Sequence, residues 1–122
     1  MRVGTNLNTV PEIHFSPHAL ADIASVYCRS RVESYLETEN IDRYCLEEAI
    51  VNRSIIAVQD ILRFLGIKNA YVTNPGDFIG TGTKAKFRLE LSFKSSIVTS
   101  ISIHVVIYYP QKLKTLLEKT YE

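Results

Sequence analysis

Apolar positions crowd most densely into residues 45–65, CLEEAIVNRSIIAVQDILRFL. Ile50, Val51, Ile55, Ile56, Val58, Ile61, Leu62, Phe64 and Leu65 do not fall on one narrow stripe at 3.6 residues per turn. The pattern predicts a central helix whose apolar surface wraps most of its circumference and has to be covered on several sides. Arg53 and Asp60 lie inside the run, and a charge in such surroundings needs a partner, a ligand or a route to water.

Upstream, Ser16-Pro17 supplies an N-cap and a proline at the first helical position. A first helix is expected to about residue 37, with Leu20, Ile23, Ala24, Tyr27, Arg31 and Tyr35 near one face and Asp22, Arg29, Glu33 and Glu37 away from it. Polar residues 38–42 break the pattern, the central helix starts between Ile41 and Cys45, and Gly66 is its stop. So short a connection packs two helices antiparallel.

Beyond Gly66 the period changes to two. A short strand is expected at 70–73 and a turn at Asn74-Pro75-Gly76-Asp77. Residues 86–94 alternate, with Phe87, Leu89, Leu91 and Phe93 inward and Lys86, Arg88, Glu90 and Ser92 outward. Ser95-Ser96 is read as a tight link to a partner strand over 97–109, with Ile97, Ile101, Ile103, Val105, Ile107 and Tyr109 inward and Ser100, Ser102, His104 and Tyr108 outward. Pro110 ends it, and residues 111–121 carry Leu113, Leu116, Leu117 and Tyr121 in a helical stripe. Short extended candidates precede the first helix at 2–4 and 12–15. The order implies an α+β single domain over 1–122: two long helices packed on an antiparallel sheet with a long hairpin, and a short C-terminal helix. One hairpin face and two helices leave part of the central helix uncovered, so a helix-mediated dimer or higher oligomer is expected.

Composition narrows the function classes. With 122 residues and a net charge of +1, neither an anionic membrane nor nucleic acid, a long duplex above all, is an expected partner, although a neutral total can hide a local basic patch. No segment reaches the length of a membrane span. Cys28 and Cys45 lack a CxxC spacing and are expected to be reduced, buried small residues.

The most suggestive segment for binding is Asn74-Pro-Gly-Asp-Phe-Ile-Gly-Thr-Gly-Thr-Lys84. Gly76, Gly80 and Gly82 allow close backbone approach, Thr81 and Thr83 carry hydroxyls, and Lys84 and Lys86 carry charge, a mixture suited to phosphate or pyrophosphate. Phe78 on such a loop could stack on a nucleobase. It is neither a Walker loop nor a GxGxxG turn. Arg53 is either a structural ion pair, with Asp60, Glu47 or a partner subunit, or an anion ligand at a subunit seam that Arg29 and Arg31 could join. His14 and His18 straddle Pro17 without HExxH spacing, and no metal site is assigned. No nucleophile elbow or placed carboxylate pair is present, so no catalytic residue is assigned and no cofactor is implied.

Arg53 on the central helix, Phe78 in the loop and Gly80, Thr81, Gly82 and Thr83, within a small two-helix and sheet layout, resemble the phage-encoded Thoeris anti-defence proteins of the first described type. The resemblance implies a non-catalytic sponge in the host bacterial cytosol. Such proteins sequester the cyclised ADP-ribose signal of bacterial TIR proteins, uncleaved, at subunit interfaces, and some also hold cyclic oligonucleotides at separate sites. Arg29 or Arg88 would then supply further pocket arginines, beside Asn74 and Lys84. The alternative is a small nucleic-acid-binding or protein-inhibiting module using the polar hairpin face of Lys86, Arg88, Ser92, Ser102 and His104.

Overall fold

The computed structural model describes residues 15–94 and 100–120. The elements run α1 (Pro17–Thr38), a 3-10 turn (Arg43–Cys45), α2 (Leu46–Phe64), β1 (Ala70–Gly80), β2 (Lys84–Phe93), β3 (Ser100–Tyr108) and α3 (Gln111–Thr120). The fold is α+β, three helices with a three-stranded antiparallel sheet in the order β1-β2-β3. The extended candidates at 2–4 and 12–14, His14, the Ser95-Ser96 link, Ile97 and Tyr121 lie outside the described residues.

The Ser16 hydroxyl accepts from the Ala19 amide at 3.1 Å, and Pro17 takes the first turn of α1 as expected. Its buried stripe, however, is Leu20, Ala24, Cys28, Val32 and Leu36, spaced by four, with Ala21 beside it. Ile23, Tyr27 and Tyr35 pack half-buried along the border of this stripe, and Arg31 is exposed. The small side chains at 21, 24 and 28 let α1 approach its neighbours closely, while the long amphipathic ones stay at the rim with their polar ends in water.

A corresponding correction applies to α2. Its buried residues, Leu46, Ile50, Val51, Ser54, Ala57, Val58, Ile61 and Leu62, occupy one side of the helix rather than most of its circumference. Asn52, Arg53, Gln59 and Arg63 make a solvent face, and Ile56 and Phe64 are left 45% and 83% exposed on it. Gly66 at φ 75° closes the helix: its amide donates to Arg63 at 3.0 Å and that of Ile67 to Leu62 at 2.9 Å.

At the α1/α2 seam the buried Ser54 hydroxyl donates to the Ile50 carbonyl at 2.7 Å and hydrogen-bonds with the Cys28 thiol. Burial, partly offset by Ser54, pushes that thiol up from an ordinary 9.0 to about 11. Cys45, expected to be buried, is exposed at the end of the 3-10 turn.

The sheet follows the alternation on β2 and β3, with Ala85, Phe87 and Leu89 facing Ile107, Val105 and Ile103 across the register, all of them buried, and the buried Leu91 facing a half-buried Ile101. β1 departs from expectation. Asn74-Pro75-Gly76-Asp77 does not end the strand; it forms two successive bulges. From Thr73 to Gly76, and again from Gly76 to Ile79, three residues of β1 advance against two of β2. Gly76 at φ 104° and Asp77 at φ 66° take the left-handed conformations, and the Asn74 side chain accepts from the Gly76 amide at 3.0 Å.

The outer edge of β3 is covered by α1. Ser25 donates to the His104 carbonyl at 2.8 Å, Arg29 Nε donates to Val106 at 2.9 Å, and Glu33 accepts from the Tyr108 amide at 2.7 Å. Four helical residues advance about 6 Å and two strand residues about 6.7 Å, so a helix parallel to the strand keeps step with it over three rungs. Lys112 on α3 donates to the Glu39 carbonyl just past the end of α1 at 3.0 Å, and Leu113 is buried while Leu116 stays exposed. Among the described residues no helix is long and apolar enough to cross a membrane.

Two outcomes follow from this packing. Replacing Ser25, Arg29 and Glu33 together by Ala should lower stability by about 1 kcal/mol per rung in urea unfolding and make light scattering concentration-dependent as the β3 edge opens. In the native state one thiol, Cys45, should react quickly with Ellman's reagent and the second only after unfolding. Because the folded Cys28 pKa is raised, its contribution is complete below pH 9.0 and is lost as pH climbs towards about 11. That loss amounts to roughly 2–3 kcal/mol, and Cys28→Ala should remove this part of the pH profile.

Candidate functional site

Where the hairpin tip meets the start of α2, the inner face of the sheet opens into a cleft of about 190 Å³. β1 and its turn contribute Phe78, Gly80, Thr81 and Gly82; Arg43, Leu46 and Glu47 come from the entry to α2, Leu117 from α3, and Tyr109 follows β3. Bulging sets this up. The two extra residues in β1 bring Ile79 opposite Lys86 on the outer face and Gly80 opposite the buried Ala85. Because two extra residues preserve the alternation, Phe78 stays on the face of the buried Val72 and packs on Phe87 with ring centroids 5.6 Å apart. At Gly80 a Cβ would come within 3.2 Å of the Phe78 ring and 3.4 Å of the Tyr109 hydroxyl. Only glycine leaves both groups where they stand.

Tyr109 is buried, and its phenol is raised above the usual tyrosine range by burial first and by the Glu47 carboxylate second. It stays protonated and able to donate at neutral pH. Arg43 lies over the Tyr44 ring at 4.6 Å and bonds its hydroxyl, which holds the guanidinium at the rim of the cleft. The cleft combines aromatic surface, a phenolic donor, a cation, a carboxylate and a glycine-bordered backbone.

The ten residues singled out from sequence separate. Phe78, Gly80, Thr81 and Gly82 meet in the cleft. Thr83 and Lys84 complete its turn, but the threonine hydroxyls are not idle donors: Thr81 Oγ1 accepts from the Thr83 and Lys84 amides at 3.3 and 3.2 Å and contacts Thr83 Oγ1 at 3.2 Å. Asn74 serves the first bulge. Arg29 serves the β3 edge. Arg88 is on the outer face, paired with Asp77 at 2.9 Å. Arg53 lines a different cleft, in the α1/α2 groove with Arg31, Tyr35 and Asp60, and sits 4.3 Å from the Tyr35 ring centroid. The ion pair considered for it is not formed with Asp60, which pairs with Arg63 at 3.4 Å.

Sequence reasoning missed Arg43 and Leu46 as site residues, and gave Glu47, Tyr109 and Leu117 other roles. Arg43 and Glu47 flank the predicted helix start and Tyr109 the predicted strand end, so the available signal was the convergence of three element ends. Glu47→Gln should lower the Tyr109 pKa yet leave it above 10, since burial is the larger cause; the tyrosinate absorbance lost in Tyr109→Phe reads it out. A raised phenol leaves stability untouched below pH 10 and reduces it only above that value. No protein-family model, curated protein or solved structure matches this chain.

Proposed function

We propose that the protein is a non-catalytic binder that sequesters a small cyclic nucleotide signal, a cyclic ADP-ribose isomer or a related cyclic oligonucleotide, and so blocks a bacterial anti-phage defence. The observation that carries this reading is the Phe78, Gly80 and Tyr109 constellation, in which an aromatic face and a protonated phenol stand against a backbone bare of side chain. A base stacks beside Phe78. The phosphates lie towards Arg43 and the Gly80 to Gly82 backbone, away from the Glu47 carboxylate, which accepts from ribose hydroxyls instead. Capture without cleavage requires no general base.

A homo-oligomer is part of the same proposal. Ile56 and Phe64 on the solvent face of α2 are the apolar surface a second copy would cover, and Arg53, stacked on Tyr35 in that groove, would reach a ligand only through such an assembly.

Native mass spectrometry before and after addition of a nucleotide panel tests both parts. A multimer should retain one cyclic ADP-ribose isomer or cyclic oligonucleotide and release it unchanged on heating. Phe78→Ala should weaken retention roughly tenfold or more with the assembly kept, and Arg53→Ala should do the same if the pocket is shared between copies. A hydrolysed product would mark an enzyme, and retention of no member of the panel would end the proposal.

A further inference from the structure

On the opposite side of the sheet, away from the cleft, the charges are unevenly distributed. Lys84, Lys86 and Arg88 occupy successive outward positions of β2, opposite Tyr108, Val106 and His104 of β3. None of these six is acidic. The next row ends the basic stretch, because Glu90 faces Ser102 and accepts from its hydroxyl at 3.1 Å. A net charge of +1 for the chain therefore conceals a cationic end on an otherwise neutral sheet face.

Tyr108 is half exposed, with the Arg29 guanidinium 5.5 Å and the Lys84 ammonium 5.9 Å from its ring centroid. Arg29 is fixed there through Nε by the Val106 carbonyl, so its terminal nitrogens extend the cationic zone past the edge of the sheet. Besides Glu90, two carboxylates adjoin the zone. Glu33 is engaged by the Tyr108 amide. Asp77 pairs with Arg88, but both are substantially exposed, and such pairs contribute little. In that arrangement Arg88 Nε is buried without a hydrogen-bond partner, an unfavourable state that rotation of the guanidinium onto another oxyanion would relieve.

We infer that this face binds single-stranded nucleic acid, with Lys84, Lys86 and Arg88 on consecutive phosphodiesters and Tyr108 under a base. Three cations on alternate residues of one strand repeat every ~6.7 Å, a spacing a sugar-phosphate backbone can follow, and the half-exposed Tyr108 ring offers a stacking face that only an unpaired base can use. The shallow depression lined by Lys86, Arg88, His104 and Asp77, about 200 Å³, receives the middle phosphate as Arg88 turns from the Asp77 carboxylate onto it. The aromatic platform gives affinity without sequence preference.

Fluorescence anisotropy with labelled oligouridylate and oligothymidylate tests this inference independently of the cleft. Binding should weaken with salt at a log–log slope of about −2, from about −0.7 per neutralised phosphate. Lys86→Ala should reduce the slope by about 0.7, Tyr108→Ala should lower affinity about tenfold at an unchanged melting temperature, and Phe78→Ala should have no effect. Absence of binding at low salt would overturn the inference. So would undiminished affinity in a folded Lys84→Ala/Lys86→Ala variant, or equally tight binding of duplex or of anionic vesicles.

Discussion

A three-stranded sheet has two edges, and the outer edge of β3 is the constraint on which the rest of this fold depends. Its outward carbonyls at His104 and Val106 and the amide of Tyr108 are met by Ser25, Arg29 and Glu33 of α1. An unpaired edge invites pairing with another chain, and here a helix in step with the strand occupies it. That fixes α1 in direction and in rotation. Its small-residue stripe of Ala21, Ala24 and Cys28 then faces the interior, α2 packs against it through Ser54 and Ala57, and the two helices together cover the apolar side of the sheet.

The opposite edge is managed by irregularity. Pro75, two bulges and left-handed conformations at Gly76 and Asp77 break the regular hydrogen-bonding line of β1. The same irregularity places Phe78 and Gly80 against Tyr109 at the tip of the hairpin. Edge protection and the register of the cleft thus share a cause, since a regular β1 would set Phe78 rather than Gly80 opposite Ala85.

The sheet consequently has two chemically distinct sides. The inner end is an aromatic cleft with one cation and one carboxylate at its mouth, suited to a compact ligand with a base and a phosphate. The outer end is an open cationic strand face, suited to an extended polyanion. Arg29 links the two by structure alone, since it belongs to the helix under the sheet yet reaches the outward-facing Tyr108.

Local chemistry is legible in the chain without any fold. The Ser16-Pro17 start, the Gly66 stop, the alternation on β2 and β3 and the α+β order follow from capping, left-handed glycine and period-two burial, all set by neighbours within a few residues. Tertiary packing decided which face of α1 is buried, because small residues win a close helix contact over larger apolar ones. It also turned Asn74 to Asp77 from a turn into bulges, because β2 remained available for pairing beyond them. Part of the candidate site was visible as the Phe78 to Gly82 segment, but Arg43, Glu47 and Tyr109 join it only where the ends of three elements converge. Arg29, Arg53 and Arg88 look equivalent as charges in a sequence; the strand edge, the tyrosine and the aspartate beside each of them exist only in the folded chain.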